Sequence, residues 1–138
     1  MKIIKLIILF NIILFSCQSN DEIVQYDIIG IWGEINSIAD GNDYTNECTL
    51  LNTLEVKVDG TLIGIIYNRD TPQGEEPQCV FNQKTETNYR IQGNSIIIES
   101  KENGEITERE STFTINNDIL TIKSEIENYP SITTYKRL

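Results

Sequence analysis

Three observations predict an all-β protein, an antiparallel up-and-down meander of about eight strands. From Ile23 onward the chain is written in isoleucine, threonine, valine and tyrosine, in short runs, and these residues suit a pleated, half-buried surface. Turn dipeptides divide the runs: Asp59-Gly60, Gly93-Asn94 and Asn103-Gly104, each able to adopt the backbone of a tight hairpin. No stretch repeats apolar residues at i, i+3, i+4 and i+7 for long enough to make a helix. Eight antiparallel strands can close and remove both exposed edges, so a barrel is expected. Strand count alone leaves an open β-sandwich as the alternative.

The elements follow in order. Ile28 to Ile38 reads as the first strand, and Asp40 to Glu47 as a loop. The loop's acids lack the Asp-x-Asx-x-Asx-Gly spacing of a calcium loop, so a solvated turn is the better reading. Leu54-Glu55-Val56-Lys57-Val58 alternates, placing Leu54, Val56 and Val58 on one face. Asp59-Gly60 turns the chain into Thr61–Tyr67. Asn68 to Gln78 holds two of the three prolines and reads as a long loop. Four further strands are expected over Gln83–Gln92, Ser95–Ser100, Glu105–Ile115 and Ile119–Ser124, and a last one over Ile132–Arg137. Val56, Val58, Ile63, Ile65, Ile97, Leu120 and Ile122 are the expected inward set, filling a core or lining a cavity.

The first residues have a different character. Lys2 and Lys5 precede the apolar run Leu6–Phe15, which is too short for a bilayer-spanning helix of about 20 residues. This is the layout of an export signal. Leu14-Phe15-Ser16-Cys17 resembles the bacterial lipobox, with an aliphatic residue at −3 and a small one at −1; Phe15 at −2 departs from the preferred small residue. The resemblance implies cleavage before Cys17, lipid (palmitate among its chains) on that cysteine, and anchoring to the outer membrane of a cell envelope. Several acyl chains make such an anchor lasting, where one gives only marginal binding. Gln18-Ser19-Asn20-Asp21-Glu22 resembles the acidic export signal of Bacteroidota-type lipoproteins, which implies a surface-facing protein; a plain acidic tether with a periplasmic domain is the other reading. The expected organisation is a signal peptide over 1–16, a lipidated tether over 17–27 and one domain over 28–138.

Once Cys17 carries lipid, Cys48 and Cys79 remain, and in an oxidising compartment an even pair is expected to bridge. Two thiols holding a metal would lack further soft ligands, since the chain has no histidine. Losing Lys2 and Lys5 with the leader takes the formal charge from −10 to −12. So acidic a domain has no basic patch to release counterions from phosphates, which argues against nucleic acid.

Gly30-Ile31-Trp32 at the first strand, a loop with Cys48, the Asp59-Gly60 hairpin, Cys79 and a run of hairpins resemble the lipocalin-like domain of small Bacteroidota lipoproteins. The resemblance covers residues 27–138 and implies a barrel whose interior holds a small ligand. Further motifs of true lipocalins are absent, so kinship to carriers of retinoid-like molecules is of shape. Trp32 is expected to plug the barrel floor.

Without histidine, Ser-His-Asp, Cys-His and His-zinc chemistries are excluded, and no glycine-rich phosphate loop follows a strand. Carboxylate-only catalysis survives formally at Glu108 and Glu110 on one strand face and at Glu75-Glu76 in a loop. The chain therefore reads as a non-enzymatic binding domain without cofactor or metal, for a small, apolar ligand. The second reading is an accessory subunit docking on another envelope protein through the 40–47 and 68–78 loops.

Overall fold

The computed structural model describes residues 27–102, 104–126 and 129–138; Cys17, the leader and the rest of the tether lie outside the described residues. Among the described residues nine strands form one antiparallel sheet: β1 (Gly30–Ala39), β2 (Asn42–Asp43), β3 (Thr53–Val56), β4 (Thr61–Asp70), β5 (Gln78–Gln92), β6 (Ser95–Glu102), β7 (Glu105–Asn116), β8 (Ile119–Ile126) and β9 (Tyr129–Arg137). Strands β3 to β9 follow one another in space, and β1 pairs with both β3 and β9. The sheet is thus a closed eight-stranded up-and-down barrel, with β2 as a two-residue extension on β1. Closure excludes the open sandwich.

One strand closes the ring on two edges because β1 is long and β3 short. Gly30–Gly33 pair with β3, while Trp32 to Ala39 run along β9. Ile35 is an extra residue between the Glu34–Tyr135 and Asn36–Thr134 pairs, a bulge that bends β1 across the barrel. Beyond Gly33 the neighbour of β1 is Asn52. Its carbonyl accepts from Glu34 N–H at 3.0 Å, its Nδ2 donates to Glu34 Oε2 at 3.0 Å, and its Oδ1 accepts from Tyr67 N–H at 2.7 Å. One residue, through its backbone and its side chain, stands in for the ladder that β3 is too short to make.

The interior is graded along the barrel axis. At the end carrying the 57–60, 93–94 and 117–118 turns, the inward residues Trp32, Leu54, Val56, Leu62, Tyr89, Ile96, Phe113 and Leu120 form a filled core with Ile28. Trp32 is completely buried, donates its indole N–H to Ile28 O at 2.8 Å, and lies under the Arg137 guanidinium at 4.1 Å. Arg137 also donates to Ile29 O (2.9 Å) and Asp27 O (2.7 Å), so it caps the floor while stacking on the ring. Gly30 makes room for it: a Cβ there would sit 2.8 Å from Arg137 Nη1, and its φ is +146°. The Gly-x-Trp pattern is thus a floor plug with its cap, as expected for Trp32; the cap, Arg137, gave no signal in the sequence.

Of the seven residues expected to face inward, three do. Val56, Leu120 and Ile122 face the core. Val58 does not; it lies in the β3–β4 turn and is 69% exposed. Ile63, Ile65 and Ile97 fall on the outward parity, since their neighbours Leu62, Ile96 and Ile98 pack inward. Ile63 and Ile97 are nonetheless buried, because their cross-strand neighbours are the long charged residues Glu55, Glu86, Arg90 and Glu110, whose stems shield them. The loop expected over 68–78 is also shorter. Strand β4 runs on to Asp70 and β5 starts at Gln78, with Arg69 paired to Cys79 and Asn68 to Val80, leaving only 71–77 irregular. The first strand starts at Gly30 rather than Ile28, whose buried side chain packs under the floor.

Candidate functional site

The other end of the barrel is where the interior opens. It carries the 40–52 segment, the 71–77 loop and the β6–β7 and β8–β9 connections. Cys48 and Cys79 are bridged there, as expected, tying the segment after β1 to the start of β5. The 40–47 loop holds β2 and an Asx turn, in which Asp43 Oδ1 accepts from Thr45 N–H at 2.8 Å.

Strand stagger opens the wall at this end in two places. Strand β5 pairs with β4 from Gln78 to Asn88, but with β6 only from Asn88 to Gln92. Strand β7 pairs with β6 from Glu105 to Thr112, but with β8 only from Ser111 onward. The β6–β7 hairpin therefore projects with a gap on either side. Beneath it lies a hollow of about 310 Å³ lined by Leu62, Thr85, Thr87, Ile98, Ser100, Arg109, Glu110, Ser111, Ser124 and Glu125.

Period-two alternation explains the lining. Thr85 and Thr87 share the inward parity of Tyr89, Ser100 that of Ile96 and Ile98, Arg109 and Ser111 that of Phe113, and Ser124 that of Leu120. Strands β5 to β8 thus hand over from apolar to polar side chains about halfway along. The result is an apolar floor of Leu62 and Ile98 under a polar rim, a ring of five hydroxyls with the charged Arg109, Glu110 and Glu125 beside it. Ser111 and Ser124 hold each other at 2.7 Å across β7 and β8, and Gly64 lies close enough that a Cβ there would meet Thr85 Oγ1 at 2.9 Å. Hydroxyls can donate and accept, so this ring can bind a ligand's polar groups of either kind.

Between floor and hollow sits a buried acid. Glu34 is 8% exposed, and burial pushes its carboxyl up from the ordinary 4.5, partly opposed by the hydrogen bond from Asn52. Burial and then the charge of Glu34 raise the neighbouring Tyr135 hydroxyl in turn. A carboxyl whose folded value exceeds its unfolded value favours the fold below the unfolded value, and that advantage is lost as pH rises through the folded one. As pH rises, ionising Glu34 therefore costs stability. Glu34→Gln keeps an acceptor for Asn52 and removes the charge, so its melting temperature is expected to exceed wild type by a few degrees at pH 7. The difference should shrink as pH falls to about 4.5, read by thermal unfolding at both pH values; equal differences at the two would refute this account.

Of the carboxylates considered for catalysis, Glu108 and Glu110 share the outward face of β7, as expected, and each has a neighbour of its own there. Glu108 pairs with Arg90 at 2.8 Å and Glu110 lies opposite Ile97, while Glu75 accepts from Gln78 Nε2 in the 71–77 loop region. Among the described residues no group of three or more His, Cys, Asp or Glu is placed to hold a metal ion.

No family model matches the chain, and no curated protein matches it. Among solved structures it is similar to two single-substitution mutants of the fluorescent protein UnaG. One shows 12% identity and a TM-score of 0.45, covering 82% of this chain and 97% of that one. The other shows 13% identity and a TM-score of 0.41, covering 81% and 96%.

Proposed function

We propose that this protein is an envelope lipoprotein whose barrel binds a small molecule in the hollow beneath the β6–β7 hairpin. The observation that carries the binding reading is the handover inside the barrel, where a sealed apolar floor gives way to a hydroxyl-lined, open hollow. A protein stabilised by its interior alone would fill both halves with apolar side chains. At about 310 Å³ the hollow is at the small end of ligand pockets, which run from about 300 to 1,000 Å³. Because the floor is filled, a long aliphatic chain has no room, and the lining favours a small ligand with polar groups over the apolar one expected from composition.

The test is native mass spectrometry of the protein purified from its own cells, beside a Thr87→Phe variant that fills the hollow. Wild type is expected to carry an additional small mass and the variant to lose it, with circular dichroism unchanged. If wild type carries nothing and no compound from a polar metabolite panel shifts its melting temperature, the reading is wrong. Anchoring through Cys17 is part of the same proposal and rests on the lipobox-like Leu14-Phe15-Ser16-Cys17. Cys17→Ala is expected to release the domain from the membrane fraction, and firm retention would refute the anchor.

A second reading has its own observation. Tyr44, Leu50, Leu51, Val80 and Phe81 are all exposed near the disulfide at the open end, a place where an envelope partner would find apolar side chains.

A further inference from the structure

We infer that the ligand class is peptidic: an extended segment that pairs with the free edge of β5 and lowers one side chain into the hollow. The inference rests on the binding reading above and deepens it. Its starting point is the fate of main-chain hydrogen bonds along β5. Tyr89 N–H donates to Gly60 O on the β4 side at 2.8 Å. Successive N–H groups in a strand point to opposite edges. Thr87 and Thr85 therefore also face β4, and Asn88, Glu86 and Lys84 face the other way.

Asn88 meets Glu99 of β6, but among the described residues Glu86 and Lys84 have no strand opposite them. The same alternation on β6 turns Glu99 and then Lys101 toward β5, where Lys101 likewise has no partner strand. Two unpaired edges thus face each other across a cleft of about 610 Å³ lined by Thr61, Thr85, Glu86, Thr87, Asn88, Glu99, Ser100 and Lys101.

Three features of this cleft suit an extended peptide. First, its β5 wall, Thr85–Asn88, offers about 13 Å of regular strand at about 3.4 Å per residue, and an added strand satisfies the free donors and acceptors without regard to sequence. Second, the edge carries no proline and no inward charge: its inward residues are Gln83, Thr85 and Thr87, and its charges, Lys84 and Glu86, lie on the outward face. Third, Thr85, Thr87 and Ser100 line both the cleft and the hollow. A strand laid along β5 therefore points every second side chain into the hydroxyl ring, which would select a small or polar residue, while Lys84, Glu86 and Lys101 flank its outward side chains.

The experiment is hydrogen exchange by NMR on the whole mature domain, titrated with the blocked pentapeptide acetyl-Val-Thr-Val-Thr-Val-amide and with the same peptide N-methylated at alternate amides. The Lys84 and Glu86 amides are expected to exchange at least 10-fold more slowly with the plain peptide at millimolar concentration and unchanged with the methylated one. Equal protection by both peptides, or none by either, overturns the inference. The small-molecule reading survives that failure if a retained non-peptide ligand shifts the resonances of Thr87, Ser111 and Ser124 while the Lys84 and Glu86 amides exchange as before. It falls with the inference if no ligand of either kind moves those resonances.

Discussion

Replacing both Cys48 and Cys79 by serine is expected to lower the stability of the barrel by about 3–4 kcal/mol, the chain-entropy value for a loop of this length. The bridge spans 31 residues of sequence, a stretch that contains β3, β4 and the turn between them. Its position explains why the loss should approach the full value. Strand β3 has only four residues and four pairs to β1, so the ladder on that side of the ring is the shortest that closes it. Past it, the wall is held by the Asn52 side chain and by the bridge itself. The nearby Glu47–Arg69 pair, at 3.7 Å with both side chains more than half exposed, is no substitute, since such pairs contribute about 0–1 kcal/mol. For a domain of this size the melting temperature should drop by roughly 10–20 °C, in the double variant and equally in wild type treated with reductant. A drop of about 2 °C or less in both would show that the open end does not depend on the bridge. The double variant is the informative one, because Cys48 is 1% exposed and a single replacement would leave an unpaired partner.

The same short β3 shows which parts of the fold were legible in the sequence. Tight turns were, because their chemistry is local: Gly60 and Gly93 both adopt positive φ where Asp59-Gly60 and Gly93-Asn94 announce hairpins. The strand count and the disulfide were legible for similar reasons. Parity was not. In Leu62-Ile63-Gly64-Ile65-Ile66 and Ile96-Ile97-Ile98 both faces carry aliphatic residues, so the period-two signal is silent, and only cross-strand neighbours decide which face turns in. Strand length was also obscured. The start of β5, residues 78–82, has no period-two alternation to mark it as strand, and it is the pairing of Tyr67 with Phe81, whose rings meet edge-on at 6.2 Å, that shows it in the sheet.

The hollow was the least legible feature. Its serines and threonines are unremarkable in each strand taken alone and become a lining only through register. The gaps beside β6–β7 arise from stagger between strands, a long-range property that no local motif encodes. Glu34 and Asn52 were missed for a related reason: a glutamate in a strand reads as solvent-facing until its parity with the inward Trp32 and the partner amide of Asn52 place it inside.

At the opposite end the largest loss from one substitution is expected at Trp32. Trp32→Ala should cost about 3–5 kcal/mol, since the ring is fully buried at the centre of the floor cluster. The loss has separable parts, and Trp32→Phe divides them. Phenylalanine keeps a ring under the Arg137 guanidinium but has no N–H for the Ile28 carbonyl, leaving a buried acceptor unsatisfied at about 1–3 kcal/mol. The expected order in urea unfolding followed by far-ultraviolet circular dichroism is wild type, then Trp32→Phe, then Trp32→Ala. A Trp32→Phe variant as stable as wild type would mean that the indole N–H contributes nothing. The floor and the bridge lie at opposite ends of the barrel, so their losses should add to within about 0.5 kcal/mol. Combining Trp32→Phe with the double serine variant tests this: additive losses mean that each end is held by its own device. If so, the floor can be weakened without loosening the hollow, and Trp32→Phe should take up ligand as wild type does at temperatures where both are folded.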